Sequence, residues 1–206
     1  MELSKRKKEL SDIFIAISNI KKEEEKNLLS SLSFPRVYGH YEKFIETLFN
    51  NLIENIFSDE TLELKKLKEN IGYYLLFISF KEIGEKSYLK NYSNLNNAST
   101  INDLKLDKIK SYISNLNVGK NYFNLFSIFS FKDDDLQEKL NLLQVKLSLL
   151  TKKYESRNHI VHGHLLNDDI ITFDEFEKIK NITEESLILL NEIFEVYLSK
   201  KLYKTL

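Results

Sequence analysis

The chain contains no cysteine. That excludes a disulfide scaffold, a thiolate metal site and a cysteine nucleophile, and it argues weakly against selection in an oxidising compartment. One proline and five glycines in 206 residues are few. Sandwiches and barrels turn often and draw on both residue types, whereas long helices with few connections need less of either. The scarcity points to an all-α fold. No apolar run reaches the roughly 18 residues that a membrane-spanning helix needs. The basic start, Met1 to Leu10, leads into a charged amphipathic segment rather than the apolar stretch of a signal peptide. A cytoplasmic location is the expectation. Net charge is also lacking, at −1. A surface that coats nucleic acid without specificity is strongly basic, so a broad one is not expected here; a small site for one phosphate or one loop is compatible.

What is present is an ordinary globular composition, 42% hydrophobic and 30% charged, too apolar for disorder at this net charge. The length suits one domain with its own core. The expectation is a single domain over 1–206, a compact helical bundle of five to six helices with a polar loop around 87–100 (Ser87 to Thr100). Residues 3–29 read as an amphipathic helix through Ile13, Ile17 and Ile20. Pro35 marks a break, after which Tyr38, Tyr41, Ile45, Leu48 and Leu52 form one stripe. Residues 61–85 read as a third helix and 101–116 as a shorter one ending near Gly119. Asp133–Asp135 suit a helix start. Thr172 and Glu175 have capping-box spacing, opening a last helix whose stripe is Leu187, Leu190, Phe194 and Tyr197. The run Lys5-Arg6-Lys7-Lys8 reads as a solvated helix face.

The chemistry concentrates in one place. Leu140, Leu143, Leu147, Leu150 and Tyr154 step by three and four, and the same steps lead to Arg157 and Val161. An arginine thus stands where the pattern demands a packed side chain. Guanidinium keeps its charge, and burying it unpaired is costly. Either it has a carboxylate partner or snorkels, or it borders a cleft that takes a phosphate. Asn158 and His162 are four apart and share a helix face; an amide beside an imidazole can fix the orientation that acid–base work requires. Arg157 and His162 are roughly 140° apart around a regular helix. Gly163 ending the helix, or a two-fold dimer, would be needed to bring both to one atom.

Arg157-Asn158-His159-Ile160-Val161-His162 followed by Gly163 resembles the R-x4-6-H motif of HEPN domains, compact helical domains of bacterial toxin–antitoxin and phage-defence loci. Phe34-Pro35-Arg36 leading to Tyr41-Glu42-Lys43-Phe44 is similar to that family's early helix with its acidic residue. Ile101 to Gly119 resembles the middle of the stand-alone HEPN ribonuclease-like proteins, and the helix from Thr172 also fits. The resemblance implies a metal-independent endoribonuclease, a toxin or defence effector, acting as a homodimer on RNA with no cofactor, and an antitoxin or nucleotidyltransferase as possible partner. It implies that Arg157 holds the phosphate, His162 transfers the proton and Asn158 orients His162. Glu42 matches the early acidic position, where it either pairs with Arg157 or faces solvent. One departure stands out. Some HEPN toxins carry a tyrosine two residues after the histidine, which the partner modifies; here that residue is His164, which puts such inhibition in doubt. The alternative reading is a non-catalytic helical module that binds a nucleotide, RNA or a protein.

A third class, a metal-dependent hydrolase, would rest on the cluster of His159, His162 and His164, with His159 and His162 three apart on a helix and Asp168 and Asp169 completing the site from a following loop. The spacing is no zinc signature, and no metal is expected. His40 reads as a structural histidine beside the second stripe. Aromatic side chains can stack on unpaired bases, but Tyr73, Tyr74, Phe77, Tyr122, Phe123 and Phe126 read mostly as core, with Tyr88 and Tyr92 as the exposed candidates.

Overall fold

A computed structural model of the chain describes residues 2–60, 62–80, 99–115, 124–129, 131, 133–151, 154–163 and 170–205. Eight α-helices follow in order among them: α1 (Glu2–Ser18), α2 (Glu23–Phe57), α3 (Glu69–Phe80), α4 (Leu106–Asn115), α5 (124–128), α6 (Asp134–Thr151), α7 (Tyr154–Val161) and α8 (Phe173–Ser199). The described residues hold no β-strand, only isolated bridges pairing Glu63 with Thr100 and Leu67 with Lys204. The all-α expectation holds, with more helices than the five to six expected. Contacts divide the chain into two compact units, one of 1–44 and 137–193, the other of 45–136 and 194–206.

In the first unit, α1 ends at Ser18, well before the expected residue 29. Ser18 bonds back to the Ile15 carbonyl, and Ser and Asn at 18–19 compete for backbone groups in this way. α2 then begins at Glu23 and runs through Pro35. The expected break is absent. An interior proline removes one helix hydrogen bond and costs about 3 kcal/mol. Phe34, Val37, Tyr38 and Tyr41 are all fully buried around it, and each contributes about 1.5–3 kcal/mol, so packing overrides the local rule. Asn27 and Ser31, four apart on α2, receive the incoming chain ahead of α8. The Ile171 N–H donates to Ser31 Oγ (2.7 Å) and the Phe173 N–H to Asn27 Oδ1 (2.8 Å), supplying acceptors that a helix start lacks. Thr172 accepts from the Glu175 N–H, as its spacing predicts. Phe14 stacks on Phe173 at 5.2 Å, and Leu143, Leu147, Leu150, Phe176, Ile179, Leu187 and Leu190 complete the core.

The basic run on α1 is not wholly solvated. Lys5, Lys7 and Lys8 are exposed, but Arg6 is buried. It pairs with Glu2, donates to the His40 carbonyl (3.3 Å) and lies over the Phe44 ring. A position on the inner face decided its fate, not the charge run. His40 is buried as well, its Nε2 3.6 Å from Glu9.

The second unit is built on aromatic packing. Phe49 meets Phe126, Phe129, Phe131 and Phe194 at 5.0–6.3 Å, and the buried Tyr197 hydroxyl donates to the Phe129 carbonyl. Asp133 caps α6, accepting from the Asp135 N–H (3.1 Å). The expected helix over 61–85 opens instead with a 3-10 turn, Leu64–Lys66, before α3. The helix expected from 101 opens with another, Ile101–Asp103, closed by a Thr100/Asp103 capping box. In α3, Ile71, Leu75 and Ile78 are buried and Tyr74 packs between Tyr112 and Phe129. Tyr73 and Phe77 therefore point outward, 64% and 56% exposed, a correction to their reading as core. Phe126 is buried. Tyr88, Tyr92, Gly119, Tyr122 and Phe123, and all but the last two residues of the 87–100 segment, lie outside the described residues.

Candidate active site

α7 is eight residues long and carries Arg157, Asn158 and His159. Its end is defined by Gly163, whose φ is +77°. That left-handed conformation costs a side-chain-bearing residue about 1–2 kcal/mol and commonly stops helices. The Gly163 N–H reaches the Ile160 carbonyl and the His162 N–H the Asn158 carbonyl (3.0 Å). His162 is the first residue of the turn that follows α7, and it is exposed.

The apolar stripe of α6 does not continue unchanged into α7. Ile160 is buried and Val161 is 53% exposed, so the packed face has moved by one residue, about 100°. Arg157 lies at the margin of that face, its side chain 26% exposed. Its guanidinium meets α2. Nη2 is 3.5 Å from Glu42 Oε2, Nη1 donates to Asn158 Oδ1 at 2.9 Å, and the guanidinium carbon stands 5.8 Å from the centre of the Tyr38 ring. Of the two fates open to Glu42, pairing is the one observed. The pair is loose, at the outer limit of a hydrogen bond. Burial pushes the Glu42 carboxyl above its ordinary value, and the attraction of Arg157 only partly opposes this.

The Asn158 side-chain oxygen accepts from Arg157; its link to His162 is the backbone bond of a helix end, which involves neither the amide nor the imidazole. Tyr38 was hidden in the core stripe of α2. The signal that relates it to the site is its spacing from Glu42, four residues on one helix. Among the described residues no group of His, Asp and Glu is placed to hold a metal ion, and His164, Asp168 and Asp169 lie outside them. No helix among the described residues is long and apolar enough to cross a membrane.

A family model described as HEPN_MAE_28990-like HEPN matches residues 1–203. The chain belongs to this HEPN family. No curated protein and no solved structure matches it. The HEPN assignment spans both compact units, so α2, α7 and α8 all belong to the matched region. In this HEPN chain the arginine of the motif is held against α2 and the histidine stands beyond the end of α7. A fixed cation and an exposed imidazole are the two components that phosphodiester chemistry asks of side chains: one to hold developing negative charge, the other to move a proton.

Proposed function

We propose that this HEPN chain is a metal-independent endoribonuclease, a toxin or phage-defence effector that works as a homodimer with Arg157 and His162 at a shared cleft. The observation that carries the reading is Arg157. It is a permanently charged side chain, half-buried and oriented by Glu42, Asn158 and Tyr38, five residues before an exposed histidine. In the reaction, His162 takes the proton from a ribose 2′-hydroxyl as its oxygen bonds to the adjacent phosphorus. The bond from phosphorus to the 5′-oxygen breaks. The leaving oxygen takes up a proton from a second imidazole, which a dimer supplies. The products are a 2′,3′-cyclic phosphate and a 5′-hydroxyl. Arg157 holds the charge on the non-bridging oxygens, and Asn158 orients His162.

The test is cleavage of total RNA with chelator present, beside His162→Ala and Arg157→Ala. Cleavage by the wild type alone, with cyclic-phosphate ends, is expected. Equal cleavage by both variants would end the proposal. One observation favours the alternative, a non-catalytic module that binds RNA, a nucleotide or a protein: Arg157 is already engaged by Glu42 and Asn158. RNA binding without turnover, in folded protein, would select it.

A further inference from the structure

Glu42 is a carboxylate with weak compensation. It is half-buried beside Arg157, and a carboxylate that loses water is stable only where a partner offsets the loss. The strong pairings of this kind are short, about 2.7–2.9 Å. Glu42 Oε2 lies 3.5 Å from Arg157 Nη2. Two other partly buried pairs, Lys180 with Glu184 and Lys204 with Asp59, close to 3.1 and 3.2 Å. The consequence shows in the carboxyl, which burial raises above its ordinary value despite the guanidinium beside it. As a staple between α2 and α7 the pair is poor.

The guanidinium has other supports. Asn158 Oδ1 accepts from Nη1 at 2.9 Å, and the Tyr38 ring centre stands 5.8 Å from the guanidinium carbon. An anion arriving at Nη2 would have to displace neither. It would have to displace Glu42. A phosphodiester presents to arginine what a carboxylate presents, two oxygens sharing one negative charge, and both side chains of the pair are open in part to solvent.

We propose that Glu42 is a resident stand-in for the RNA phosphate: it occupies the Nη2 side of Arg157 in the free protein, and the scissile phosphate takes its place there. The contact is autoinhibitory. In the free protein it orients the arginine and offsets its charge, so that an anion binds only by displacing the carboxylate. In the complex Asn158 and Tyr38 keep the guanidinium in place while Glu42 gives way. The exchange rests on the reading of Arg157 as the group that holds the phosphate.

The experiment uses the full chain carrying His162→Ala, so that binding is measured without turnover, with a labelled single-stranded oligoribonucleotide as probe. Glu42→Gln and Glu42→Ala are introduced into it, each with and without Arg157→Ala, and thermal unfolding checks the fold. Glutamine keeps the shape and an acceptor oxygen for Nη2 but not the charge; if one of the two variants folds poorly, the other reads the same quantity. Each is expected to bind RNA about tenfold more tightly than the parent, the repulsion between two anions on one half-exposed guanidinium after screening. With Arg157→Ala the gain should vanish, because a half-buried Glu42 without its cation takes up a proton and no longer repels the strand. A carboxylate that only adds negative charge to the surface would give the same gain in both backgrounds, and that result overturns the exchange. Unchanged or weaker binding on loss of the Glu42 charge, with a parent that binds RNA, also overturns it and leaves the active-site reading standing. A parent that binds no RNA overturns both.

Discussion

Gly163→Ala tests how the end of α7 is made. The glycine has φ +77°, and among the described residues nothing lies within 4 Å of where a Cβ would be, so the expected effect of the alanine is that of backbone strain. That strain is about 1–2 kcal/mol. For a chain of this size about 1 kcal/mol lowers the melting temperature by roughly 2–4 °C, so a drop of about 2–8 °C is expected. Asparagine tolerates the left-handed region better than alanine, and Gly163→Asn should fall between the two. The assay is thermal unfolding followed by circular dichroism. RNA cleavage should follow the same order, wild type above asparagine above alanine, because the turn fixes His162. A melting temperature for Gly163→Ala within about 1 °C of wild type, or asparagine ranking below alanine, would refute the reasoning.

Three further outcomes follow. Ser31→Ala removes the buried acceptor of the Ile171 N–H and should destabilise the protein by about 1–3 kcal/mol in denaturant titration; a loss below about 0.5 kcal/mol would mean that the bond contributes little. Burial, aided by Arg6 and Arg36 and opposed by Glu9, lowers the His40 pKa below its ordinary value of 6.5. The unfolded chain then binds the proton more tightly, so the stability from His40 is full above that value and is lost as pH falls through it. His40→Gln should flatten the stability profile between about pH 7 and 5, and an unchanged profile would contradict the assignment. Arg157→Lys keeps the charge but loses the fork that meets Asn158 and Glu42 together. Cleavage should fall by about tenfold or more without loss of fold, and wild-type activity in this variant would show that charge alone suffices.

Much of the helical frame was legible because apolar stripes at helical spacing leave little choice. Tyr38, Tyr41, Ile45, Leu48 and Leu52 are all buried, as are Leu187, Leu190, Phe194 and Tyr197. What failed were inferences from single residues. Pro35 signals a boundary locally, and only the burial on both sides of it keeps α2 whole. Arg6 looks like its lysine neighbours until α1 is packed. The continuous apolar run at Ile71 to Phe80 hides its own phase, so Tyr73 and Phe77 could not be told from core. In the site, Arg157 was legible as a charge out of place on a stripe. Of its partners, Glu42, 115 residues earlier, was reached only through the family resemblance, which left pairing and solvent open, and Tyr38 presents itself as core. The shift of the packed face from Val161 to Ile160 is likewise invisible in a pattern extrapolated from α6.

The most direct test of the central claim is cleavage of total RNA by the purified chain in excess chelator, set against His162→Ala, with the new ends analysed chemically. The account predicts cleavage by the wild type alone, leaving 2′,3′-cyclic phosphates. Equal cleavage by His162→Ala, or no cleavage by a folded wild-type protein that still binds RNA, would contradict it.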